Sequence, residues 1–265
     1  MTRDRRLSRR RLLLAALGIT AGVAAGCTGQ PPSKEPSPSP DASLLHDDIS
    51  DGVTVQDRGF STFAVAGGEA GRRIVGAAAV LRNTTGKPMR AHVRLRLVDG
   101  SGHGWRSAEQ NDWTSVINTG WVNLPPGQSV DFGGAYQVDA SQAARVAGVV
   151  LYVRGETVDQ SVLLPATIGK LTPPTTPKDE WSYVTFGVDN TGAGFKEPNY
   201  SLVFRSPEGR LIGGWFVDRA TSLTITPALP EGETDEYPRG ASEHTLPTWL
   251  PPGIQPKNTT MYVWP

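Results

Sequence analysis

The sequence predicts an all-β protein, with two tandem β-sandwiches following an N-terminal signal and tether. Three observations carry that expectation. Apolar and polar residues alternate with a period of two in the segments that read as strands. The chain holds 30 glycines and 22 prolines, which suits many short strands and turns rather than long helices. A unit of about 110 residues is also written twice.

The repeat is visible in ordered matches at a spacing of about 105 to 110 residues. Asn83-Thr84-Thr85-Gly86 matches Asn190-Thr191-Gly192, Asp99-Gly100 matches Glu208-Gly209, and Gly104-Trp105 matches Gly214-Trp215. Thr114-Ser115-Val116 aligns with Thr221-Ser222-Leu223, Leu124-Pro125-Pro126-Gly127 with Leu229-Pro230-Glu231-Gly232, and Tyr152-Val153 with Tyr262-Val263. A second Leu-Pro-Pro-Gly at Leu250 to Gly253 falls out of order and is not an equivalent.

Within each unit the strands follow from alternation. Val93, Leu95 and Leu97 are separated by Arg94 and Arg96; Tyr200, Leu202 and Phe204 alternate with Ser201, Val203 and Arg205. Each strand is expected to bury one face and wet the other. Asn-Thr-Gly and Asp-Gly-Ser-Gly are turn chemistry. Ser141 to Val146 is the one stretch suited to a helical turn. Units of this size, at 44–155 and 156–265, read as immunoglobulin-like sandwiches with no cysteine pair, so apolar packing alone must hold them.

The first fifty residues read differently. Six arginines and one aspartate precede an apolar run from Leu12 to Ala25. That run is too short to span a bilayer, which takes about 20 residues, and its basic start and small-residue end are those of a secretory signal peptide, 1–26. Val23-Ala24-Ala25-Gly26-Cys27 resembles the bacterial lipobox, with Ala24 where leucine is usual. The resemblance implies cleavage before Cys27 and lipid attachment to its thiol. Ser8-Arg9-Arg10-Arg11-Leu12-Leu13 resembles a twin-arginine export signal, carried by Arg9 and Arg10. Cys27 is the sole cysteine, so no internal disulfide is available, and an anchor accounts for it. Residues 27–43 carry five prolines between Pro31 and Pro40 and read as an extended spacer of roughly 40–50 Å. The expected location is the outer face of the bacterial cytoplasmic membrane.

Removing residues 1–26 leaves 20 basic and 25 acidic residues, a formal charge of −5. With no cluster of lysine or arginine left, neither nucleic acid nor an anionic membrane surface is the expected partner.

Leu95-Arg96-Leu97-Val98-Asp99-Gly100, with Arg82-Asn83 before it and Leu124 to Gly127 after it, resembles the FxLYD-type immunoglobulin-like domains of bacterial surface lipoproteins. Leu95 stands for the aromatic residue and Val98 for the tyrosine. The second copy, Phe204-Arg205-Ser206, departs further. The resemblance implies a non-enzymatic extracytoplasmic module without catalytic residues or cofactor.

Motifs for chemistry are few. His46, His92, His103 and His244 lack metal-ligand spacing and read as surface residues. Gly127-Gln128-Ser129-Val130-Asp131 fails the nucleophile-elbow pattern at its last position, and Ser129 reads as a strand start. Asp47, Asp48 and Asp51 read as a solvated turn rather than a calcium site, and the acidic stretch from Pro230 to His244 as a solvated loop. Trp113 and Trp121 have Ala220 and Ala228 as counterparts, so they are the candidate partner-binding residues. The leading expectation is a lipid-anchored, non-catalytic protein that binds an envelope protein or cell-wall polymer. The alternatives are a solute- or glycan-binding lipoprotein with a pocket between the sandwiches, and a small envelope enzyme.

Overall fold

The computed structural model describes residues 45–64, 70–104, 116–176, 181–220, 224–225 and 244–265. They lie in one compact unit, 40–265, which is an all-β sandwich structure. The lipobox, the export arginines Arg9 and Arg10, and the tether lie outside the described residues, as do Trp105, Trp113 and most of the acidic loop.

The first half contains β1 (Asp48–Ile49), β2 (Val53–Phe63), β3 (Arg72–Asn83), β4 (Met89–Val98), β5 (Val116–Leu124), β6 (Ser129–Asp139) and β7 (Gly148–Thr157). The order β2-β3-β6 makes one sheet and β1-β7-β4-β5 the other. Val75, Ala77, Ala79 and Leu81 of β3 face Val93, Leu95 and Leu97 of β4 across a core that also takes Phe132 and Leu151. The helical turn is real: α1 (Ala140–Ala143) begins with a capping box between Asp139 and Gln142.

The second half contains β8 (Leu164–Thr172), β9 (Ser182–Val188), β10 (Phe195–Lys196), β11 (Asn199–Arg205), β12 (Leu211–Val217), β13 (Thr224–Ile225), β14 (His244–Thr248) and β15 (Thr259–Trp264). Strand β8 pairs with β15 at its start and with β9 further on, around a bulge between Ile168 and Lys170, so it serves both layers. Phe186, Tyr200, Leu202, Phe204, Leu246 and Val263 form the core between them.

The repeat is a repeat of topology. Strand β4 lies between β7 and β5, and β11 between β15 and β12; β3 lies between β2 and β6, and β9 between β8 and β14. Val153 pairs with Val93, and Val263 with Tyr200. Asn83 and Asn190 are both buried and both tie the turn after their strand. The Asn83 amide donates to the carbonyls of Lys87 and Leu124, each at 2.8 Å, and its oxygen accepts from the Thr85 N–H. The Asn190 amide donates to Ala193 O, and its oxygen accepts from the Gly192 N–H. One part of the sequence alignment is corrected. Trp215 sits opposite Leu202 where Asn118 sits opposite Leu95, so β12 corresponds to β5 at a spacing of 97 residues. The match of Gly214-Trp215 with Gly104-Trp105 therefore does not hold in this part of the sheet.

A second correction concerns the outer face of β11. Ser201 and Val203, expected to be wet, are fully buried. They lie against the β2-β3-β6 sheet, and β12 lies beside them on the same sheet. Contact is possible because the sequence removes side chains where the layers meet. A Cβ on Gly133 would come within 2.6 Å of the Gly214 Cα, and one on Gly76 within 3.1 Å of the Gly213 Cα. Ala78, Val80, Val203 and Leu211 close the rest of this layer. Strand β3 is thus covered on both faces, which is why its interior is continuously apolar and small. Polar groups in the seam are paired. The Gly133 N–H donates to Ser201 Oγ at 3.0 Å, and Arg205 meets Asp131 at 3.0 Å, where the Thr260 hydroxyl also donates. Phe216 reaches across to Phe132, ring centroids 5.0 Å apart, and occupies the space that a side chain at Gly120 would need.

Placing a methyl at Gly214 should therefore cost about 1–3 kcal/mol, as overpacking does in a close-packed interior, and more for a larger group. Urea denaturation should show Gly214→Ala and Gly133→Ala destabilised, Gly214→Val more so, and Gly86→Ala, which meets nothing within 4 Å, close to wild type. Equal stability across the series would contradict the seam.

Candidate functional site

The outer faces of β4 and β11 are equivalent in topology and opposite in use. The β11 face is closed on the seam. On the β4 side, alternation sends Arg90, His92, Arg94 and Arg96 outward, away from the first core. The register then sets neighbours beside them. His92 lies between Trp121 of β5 and Arg154 of β7, Arg94 lies beside Tyr152, and Arg90 beside Asn123 and Glu156. Asp48 of β1 completes the row next to Tyr152.

Trp121 is 40% exposed. Its ring packs on His92 at 5.1 Å between centroids, tilted by 50°, and the Arg90 guanidinium sits 4.7 Å from its centre. Such a cation–π contact is worth about 0.5–1 kcal/mol where water has access. Its backbone is held too: the Trp264 indole N–H donates to Trp121 O at 3.2 Å, so the last strand of the chain fixes the edge of this sheet. The site residue Trp121 is thus built by β4, β5 and β15 together.

The charges are partly paired. Arg90 meets Glu156, and Arg154 meets Asp48, with an Nη1 to Oδ1 distance of 2.7 Å. The Arg154 guanidinium holds the Asp48 carboxyl below its ordinary range. Exposed pairs of this kind contribute little and exchange partners readily. Arg96 is mostly buried beneath the Tyr152 ring, 5.3 Å from its centre. Arg94 has no carboxylate partner among the described residues. The exposed face carries Arg90, Arg94 and Arg154 against Asp48 and Glu156.

Sequence reasoning singled out Trp121, which the structure leaves 40% exposed, and passed over the arginines beside it. A search along the chain finds no basic cluster because the charges stand at alternate positions and on separate strands. Strand pairing assembles the cluster. The signal in the sequence was Arg90-x-His92-x-Arg94-x-Arg96, visible as a wet face without a hint of what lay beside it.

Other expectations fall as follows. Trp113 lies outside the described residues, so no structure is assigned to the Trp113 half of the candidate pair. Asp47 and Asp48 are not simply solvated: Asp47 takes Arg58 and accepts the Leu151 N–H at 3.0 Å. No three acidic, histidine or cysteine residues converge on a metal-sized site among the described residues. Trp215 packs against the second core, with Trp249 at 5.0 Å and Trp181 at 5.7 Å, and Trp181 stacks parallel to Trp249. Beside them a cavity of about 380 Å³ opens where Phe63 of the first half meets Pro173, Pro174, Trp249 and Ile254 of the second. Among the described residues no charged side chain lines it.

His92 offers a direct check on the face. Burial lowers its pKa, and Arg94 beside it lowers it further. In NMR titration the ring should protonate below 6.5, and Arg94→Gln should move its pKa upward. Because the folded value lies below the unfolded one, its neutral form favours folding above pH 6.5, and that contribution is lost as pH falls through the folded value. A His92 titration at or above 6.5 would contradict the packing described.

No protein-family model matches the chain, and a search of curated proteins returned no match.

Proposed function

We propose that the protein is a lipid-anchored, non-catalytic binding protein of the bacterial cell envelope. Cys27 holds it on the outer face of the cytoplasmic membrane, and the β4 face meets a protein or wall-polymer partner. The N-terminal resemblances to a lipobox and a twin-arginine signal support the address. The immunoglobulin-like reading of each repeat, and the resemblance to FxLYD-type domains of surface lipoproteins, support a role without catalysis. The observation that carries the binding role is the asymmetry between equivalent faces: the β11 face is used up in the seam, whereas the β4 face presents a half-exposed tryptophan among arginines. A second reading, a small apolar solute held between the halves, draws on the uncharged cavity beside Phe63 and Trp249.

One experiment tests the address and the surface together. A photoreactive residue is placed at Asn123 on the β4 face, or at Tyr183, which is exposed on β9, in wild-type and Cys27→Ala chains in intact cells. The expected result is a reproducible adduct from position 123 and little from position 183, with the Cys27→Ala chain released from the membrane fraction. Equal labelling at both positions, or a Cys27→Ala chain that stays with the membrane, would contradict the reading.

A further inference from the structure

The chemistry of the β4 face selects among partners. This step rests on the reading that the face meets an envelope partner. We propose that the partner is an anionic glycan: a chain of sugar-bearing units joined or decorated by phosphate.

Three features on this face argue for it. The first is charge. Three surface arginines, Arg90, Arg94 and Arg154, against two carboxylates make it locally positive on a chain that is acidic once residues 1–26 are set aside, so complementarity favours a polyanion and disfavours two copies meeting face to face. The second is spacing. Arg90 and Arg94 stand four positions apart on one strand, about 13–14 Å apart, with the His92 ring between them. That span is comparable with two repeats of an extended phosphate polymer. Arg94 is free of carboxylates among the described residues, and the carboxylates paired with Arg90 and Arg154 are exposed ones that a phosphate can displace. An arginine fork suits phosphate geometry. The third is the aromatic surface. Trp121 is held in place by His92, Arg90 and the bond from Trp264 while remaining 40% exposed, so a ring can stack on it without a cost in ordering the side chain. An anionic membrane would use the charges and leave the tryptophan without a ring to meet. An acidic peptide would have no need of that span.

The full chain, purified in detergent, is titrated with glycosylated poly(glycerol phosphate), the unglycosylated polymer, poly(glutamic acid), and vesicles containing phosphatidylglycerol. Binding of the glycosylated polymer should weaken with salt, since each phosphate contact releases counterions. Arg94→Gln should weaken binding and reduce the salt slope by about 1. Trp121→Ala should weaken binding of the glycosylated polymer about tenfold, leave the slope unchanged, and have little effect on the unglycosylated one, in the manner of a stacking contact. Tyr183→Ala, on the far sheet, should change nothing. Poly(glutamic acid) or vesicles binding as tightly as the glycosylated polymer would overturn the proposal, as would an Arg94→Gln chain that binds normally. If polymer binding fails while position 123 still crosslinks to a protein in cells, the glycan is wrong and the face is right. If neither occurs, the function proposed for the face fails as well.

Discussion

The backbone of β12 rests on the outer face of the β2-β3-β6 sheet with no side chain between them at Gly214 and Gly133. The rest of the structure depends on this contact. Two halves joined by a short connection would ordinarily move relative to each other, since interfaces between domains tend to be small and polar. Here the approach is close, the covering residues are small, and the polar groups trapped at the seam are satisfied by Ser201, Arg205 and Thr260. Phe216 and Trp264 then extend the second half into the first core. A seam with so little room to adjust fixes the angle between the halves.

This constraint also divides the labour between two copies of one unit. The strand equivalents β4 and β11 carry the same apolar pattern inward, which each copy needs for its own core. Their outer patterns differ. Ser201 and Val203 are small or apolar and pack away; Arg90, His92 and Arg94 are long or polar and stay at the surface. The bond from Trp264 to Trp121 O links the two outcomes, because the strand that completes the second sandwich also steadies the edge of the open face. A surface built on paired strands in this way keeps its side chains at fixed spacing.

Much of this was legible in the amino acids, for physical reasons. Alternation with a period of two reports a strand with unlike faces, so β4 and β11 could be placed, and the turn-forming Asn83 and Asn190 could be matched. Gly76, Ala78 and Gly133 carried the seam, but small residues have no strand propensity to announce it. The wet face assigned to β11 was an error of the same origin: alternation reports two environments, and Ser201 in a dry, hydrogen-bonded seam has the same letter as serine in water. The matching of β12 went astray because Gly214-Trp215 resembles Gly104-Trp105 locally, whereas strand position follows pairing partners. Arg154 joined the site only through register with His92, a relation between residues 62 positions apart.

The central claim is that the two repeats form one cooperative body. Calorimetry of the protein tests it most directly. Unfolding enthalpy near 60 °C is about 0.7 kcal/mol per residue, so roughly 220 residues unfolding as one should give about 150 kcal/mol, and each repeat alone about 75. The account expects a single transition whose van't Hoff enthalpy matches the calorimetric one, near the larger figure. Two resolved transitions, or a van't Hoff enthalpy near half the calorimetric value, would mean that the halves unfold independently and that the glycine seam does not join them.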